Sequence, residues 1–104
     1  MYIAMNRFKV KVGLEAEFED VWRNRDSSLS SMKGFREFHL LRGPSNEKDG
    51  YTLYASHTVW ESQDDFTAWT KSQSFRDSHR NAGNRKPSYI EAPQFEGFSI
   101  VEGA

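Results

Sequence analysis

The sequence has no cysteine, and that one absence removes disulfides, thiolate nucleophiles and cysteine-ligated zinc or iron–sulfur centres together. No apolar run approaches the ~20 residues of a membrane-spanning helix. The first residues, Met1-Tyr2-Ile3-Ala4-Met5-Asn6, lack the charged start and apolar stretch of a signal peptide. Charge of one sign is also missing: 14 Lys and Arg against 15 Asp and Glu leave a net charge of −1. That is too little cation for a duplex nucleic-acid binder or a polybasic membrane anchor. Phosphate loop, nucleophile elbow and dinucleotide fingerprint are absent as well. A cytoplasmic protein that binds neither nucleic acid nor membrane is the expectation.

Aliphatic side chains are scarce, only 13 Leu, Ile and Val, and even with Phe these number 21 of 104 residues, near the floor for a folded chain. Near-neutral charge argues against disorder, and 15 aromatic residues supply buried area that the aliphatics do not, roughly 150–250 Å² per large ring. The length fits a single domain over 1–104. Any active site is therefore small, or shared between subunits.

Tyr2 to Val12 alternates as a strand, with Tyr2, Ala4, Phe8, Val10 and Val12 on one parity and Asn6 interrupting them. Leu14, Phe18, Val21 and Trp22 follow at helical spacing behind an acidic start, Glu15, Glu17, Glu19 and Asp20. Those carboxylates spread around the helix and read as a solvated face. A Ser-rich connection, Ser27 to Gly34, leads to a strand at Phe35 to Arg42, a turn over Gly43 to Gly50 and a strand at Tyr51 to Trp60. Ser62 and Asp65 form a capping-box-like pair that starts a helix carrying Phe66 and Trp69. Ser74 and Asp77 start another, with Phe75 and His79 on one face. A loop over Asn81 to Pro93 precedes a last strand at Gln94 to Val101.

This order implies an α+β fold, a ferredoxin-like antiparallel sheet with its helices on one face. Because Ile3 and Met5 place apolar groups on the other parity of the first strand, the second face needs cover too. A homodimer packed sheet against sheet provides it.

Three residues stand out chemically. Imidazole ligates metals and carries protons near neutral pH, and His79 has an apolar flank in Phe75 and cations nearby in Arg76, Arg80, Arg85 and Lys86. That combination suits a flat, apolar, dianionic ligand; the plainer reading is a half-exposed helix histidine among solvated charges. Asn6 puts an amide on a core parity, which is costly without a hydrogen bond, so it either faces a cavity or is satisfied by neighbouring backbone. Trp69 is either the core anchor of its helix or the wall of a pocket. His39 and His57 read as structural, since neither has the neighbours of a metal site.

The spaced Asn6, Trp69 and His79 carry a resemblance. With them go Thr58-Val59-Trp60-Glu61-Ser62, Phe66-Thr67-Ala68-Trp69, Ser74-Phe75-Arg76-Asp77-Ser78-His79 and the Gly34-Phe35 strand start. Together they resemble the IsdG-type haem-degrading monooxygenases of the antibiotic-biosynthesis monooxygenase superfamily, over nearly the whole chain. The resemblance implies a dimeric α+β barrel that binds haem, with His79 as axial ligand to the iron, Asn6 as a hydrogen-bond donor near bound O₂, and Trp69 pressing on the porphyrin. Haem would be both substrate and oxygen activator, and electrons from a reductase would drive ring opening to a bilin with release of iron, for iron acquisition. Phe75 is an expected further haem contact, and in the loop Arg85 or Lys86 is placed to reach a propionate, a role the family pattern itself does not fix. A break near Ser72 to Ser74 is required, because ten residues of one straight helix would turn Trp69 and His79 to different faces. Two alternatives stay open: a cofactor-independent quinol or polyketide monooxygenase using His79 as acid or base, and a haem carrier or sensor that leaves haem intact.

Overall fold

The computed structural model describes residues 1–24, 29–72 and 89–104. Its elements run β1 (Tyr2–Lys11), α1 (Glu15–Asn24), a short 3₁₀ turn (Leu29–Ser31), β2 (Phe35–Asn46), β3 (Tyr51–Trp60), α2 (Gln63–Thr70) and β4 (Gln94–Ser99). The strands form one antiparallel sheet in the order β2-β3-β1-β4, the expected ferredoxin-like arrangement.

Alternation in β1 sorts its side chains. Tyr2, Ala4, Phe8 and Val10 are buried, and Asn6 shares their side of the pleat. Both helices pack on that face. Phe18 of α1 joins Phe8, Val10 and Tyr54 in one cluster; Trp69 of α2 joins Tyr2, Ala4, Leu29 and Trp60 in another. Rings dominate both clusters. Each removes about 150–250 Å² from water, at most about 4–6 kcal/mol at ~25 cal/mol/Å², which is how a chain poor in aliphatics folds. Close backbone approach matters at Gly97, where a Cβ would overlap the Tyr2 hydroxyl.

The opposite face carries Ile3 and Met5 of β1 and Leu53, all half-buried, with Ala55 and Val59 and the cross-strand pair His39 and His57. Neither α1 nor α2 packs on it. Leu41 and Phe98, at the edges of this face, are largely exposed.

Several boundaries differ from the sequence expectation. β2 continues through Gly43-Pro44 to Asn46, and the turn shrinks to residues 47–50. The register shift between Arg42 and Ser45 absorbs the interruption; β2 is an edge strand, where proline's missing N–H breaks no ladder. Ser45 and Thr52 then join by their hydroxyls at 2.8 Å. β1 stops at Lys11 because Gly13 turns the chain at φ 95°, leaving Val12 half exposed rather than in the core. β4 stops at Ser99, two residues short of Val101. α2 starts as its cap predicts, the Ser62 hydroxyl accepting the Asp65 N–H at 3.1 Å. The expected second short helix, with Phe75 and His79, and the loop residue Arg85 lie outside the described residues. Among the described residues no helix is long and apolar enough to cross a membrane.

Candidate active site

Asn6 stands at the centre of the sheet, with Ser56 beside it on β3 and Phe95 on β4. It lines a cavity of about 270 Å³ together with Ser56, Trp22, Phe38, Phe66, Trp69 and Phe95. Asn6, half-buried, thus stands at a cavity. Trp69 answers to both of its readings. It is 7 % exposed and part of the core, with its ring 5.6 Å from Trp60 and 6.2 Å from Phe66, and it also borders the cavity. Phe66 in turn stacks on Phe95 at 5.7 Å and 8°. The site is an aromatic box whose sheet floor carries the Asn6 amide and the hydroxyls of Ser56 and Thr58.

α2 positions Trp69 and ends directly after it. The Lys71 N–H closes the helix on Ala68, and the Ser72 hydroxyl donates to the Trp69 carbonyl at 2.6 Å. Among the described residues no group of three His, Cys, Asp or Glu is placed to hold a metal.

Sequence reasoning missed Trp22 and Phe38. Their rings stack at 5.8 Å and 18°, and both also line a second cavity of about 370 Å³ with Glu19, Arg23, Leu40, Arg42 and Tyr54. It also misread the acidic helix. Glu15 accepts the buried Thr52 hydroxyl at 2.9 Å, and Glu19 accepts the Tyr54 hydroxyl in a short hydrogen bond, so these two carboxylates tie α1 to β3 instead of facing solvent. The hydrogen bond from Tyr54 holds the Glu19 carboxyl below its ordinary range. Burial, then that same bond, pushes the Tyr54 hydroxyl up to about 12. Glu15 is lowered as well, by hydrogen bonds to backbone N–H and to Thr52. An i, i+4, i+7 spacing put Glu15, Glu19 and Trp22 on one side of α1, the sequence signal available for this.

Residues 1–81 match the family model for antibiotic biosynthesis monooxygenase. The chain belongs to that family. Among its relatives, a staphylobilin-producing heme oxygenase from Staphylococcus haemolyticus is 27 % identical over 78 % of this chain and 75 % of its own length. A heme-degrading monooxygenase from Shouchella clausii is 34 % identical over 69 % of this chain and 64 % of its own length. Of solved structures, the heme-degrader MhuD of Mycobacterium tuberculosis, with two hemes bound in its active site, superposes at TM-score 0.74 and 26 % identity, covering 100 % of this chain and 99 % of that one. SnoaB of Streptomyces nogalater, a cofactor-independent oxygenase, shares the fold at TM-score 0.66 and 23 % identity, over 97 % and 93 %. The relatives thus include haem-degrading monooxygenases, and the likeness to SnoaB is one of fold.

Proposed function

We propose that this family member is a haem-degrading monooxygenase. The observation that carries the reading is that Asn6 and Trp69, far apart in sequence, border one aromatic-walled cavity. Flat apolar walls with few polar groups are what a porphyrin requires. Haem, the substrate, supplies the iron at which O₂ is activated, with electrons from an external reductase. The chain's own tasks are to hold, shape and enclose it. Asn6 presents an amide N–H donor at the cavity wall. Trp69, backed by Trp60 and Phe66, is a wall that cannot retreat, which suits it to press on and ruffle a porphyrin. His79 is the proposed axial ligand, Phe75 its apolar flank, and Arg85 a partner for a propionate. Ring opening yields a bilin and free iron, and iron acquisition in the cytoplasm is the proposed setting. A second copy is proposed to cover the sheet face of Ile3, Met5, Leu53 and Val59, as in a dimeric α+β barrel.

The size of the cavity favours a second reading, cofactor-independent oxidation of a quinol or polyketide, because about 270 Å³ lies below the ~300–1,000 Å³ typical of ligand sites. An absorption titration with hemin, followed by ascorbate in air, separates them. A saturating Soret band that bleaches to bilin absorbance, lost in His79→Ala, supports haem degradation. Binding without bleaching indicates a carrier, and no binding indicates the cofactor-independent chemistry.

A further inference from the structure

The Asn6 cavity is short for a flat ligand of porphyrin size, while the two cavities together fall within the ~300–1,000 Å³ range of ligand sites. What they share is Trp22 and Phe38. These residues form a stacked pair, with Trp22 backed on its other side by Phe8 at 5.7 Å and Phe18 at 6.1 Å; each side chain turns about two torsions, so a rotamer change parts the stack without a change in backbone. The two cavities also differ in chemistry. The first is aromatic, whereas the second contains Arg23, Arg42, Glu19 and the Tyr54 hydroxyl.

The charges in the second cavity are not equally engaged. Glu19 accepts from Tyr54 and, at 2.9 Å, from Arg23, and Arg23 also reaches Asp20 at 3.1 Å. Arg42 meets Glu19 only at 3.4 Å, with its side chain 59 % exposed, and a guanidinium carries five N–H donors. Arg42 therefore has the capacity to take a further carboxylate while its partner keeps two others.

We propose that the Trp22–Phe38 stack is a movable partition, and that a ligand seated against Asn6 and Trp69 displaces it and reaches the second cavity, where Arg42 binds an acidic group of that ligand. The identity of the ligand as haem rests on the reading above. The two-chamber geometry does not, and applies to any flat apolar acid long enough to span both.

The test compares wild type, Arg42→Ala and Trp22→Ala with hemin and with hemin dimethyl ester, whose propionates carry no charge. Arg42→Ala is expected to weaken hemin binding about tenfold or more, the effect of losing a hydrogen bond to a charged group, and to leave the ester unchanged. Trp22→Ala is expected to raise the association rate of hemin severalfold in stopped flow, since nothing then has to move aside. An equal loss for acid and ester, or an unchanged association rate, overturns the proposal. Anilinonaphthalene sulfonate, a flat aromatic anion, keeps the two readings apart on the same three proteins. If hemin fails to bind but this dye still depends on Arg42 and Trp22, haem is excluded and the partition stands; indifference of every bound probe to both substitutions overturns the partition.

Discussion

Trp69 is asked to do two things, to anchor α2 in the core and to press on a bound ring, and one substitution can separate them. Trp69→Ala would cost about 3–5 kcal/mol by the usual cost of emptying a core site, a large part of the ~5–15 kcal/mol that holds a domain of this size together, so loss of function there would be uninformative. Trp69→Phe keeps an aromatic ring against Trp60 and Phe66. One side of Trp69 already borders a cavity, so fewer packed contacts are lost than at a fully enclosed position, and the expected cost is about 1–2 kcal/mol. At ~4–8 °C per kcal/mol for a chain of this length, Tm should fall by roughly 5–15 °C, measurable by thermal circular dichroism. Hemin affinity should stay within a few-fold, because the wall remains apolar. Turnover should fall about tenfold, the effect of ~1.4 kcal/mol added to the barrier, when bleaching of the Soret band is followed in air with ascorbate well below Tm. Equal losses in binding and turnover would refute the pressing role and leave Trp69 as a core residue only.

Two further outcomes are expected. Tyr54→Phe removes the main cause of Glu19's lowered pKa; a depressed carboxyl adds stability above about 4.5 that disappears as pH falls below it, so the Tm gap between wild type and variant should narrow on acidification past that point. At the alkaline end Tyr54, at about 12, adds stability below about pH 10 that is lost between pH 10 and 12, and the variant should lack that loss. On the proposed dimer face, Leu53→Asp, at a half-buried position, should convert a dimer to a monomer in sedimentation or light scattering with α-helix content unchanged; an unaltered mass would show that this face is not the interface.

The proposed pressing wall and amide donor were both visible as oddities of pattern, Asn6 because it interrupts an apolar parity and Trp69 because it shares helical spacing with Phe66. Alternation and helical spacing are local, repeating within a few residues, and so are caps such as Ser62 with Asp65. They can be read before anything about distant contacts is known, which is why the strand and helix order and the ferredoxin-like sheet were legible. Alternation could not show that β2 runs on through Gly43-Pro44, since that depends on β2 lying at the sheet edge and on Ser45 meeting Thr52 across the ladder. Nor could it separate Glu15 and Glu19 from the other acidic residues of α1, because only the docking of α1 on β3 brings Thr52 and Tyr54 to those two carboxylates.

What the sequence by itself determined is therefore the order of the strands and helices and the face β1 turns to the core, because backbone sterics and apolar periodicity act over a few residues. The tertiary structure alone decided that Asn6 lies between Ser56 and Phe95, that Trp22 closes on Phe38, and that Arg42 reaches Glu19 across from α1. Those outcomes depend on strand register and helix docking, which are set by the sum of many contacts between distant residues and leave no periodic mark on the chain.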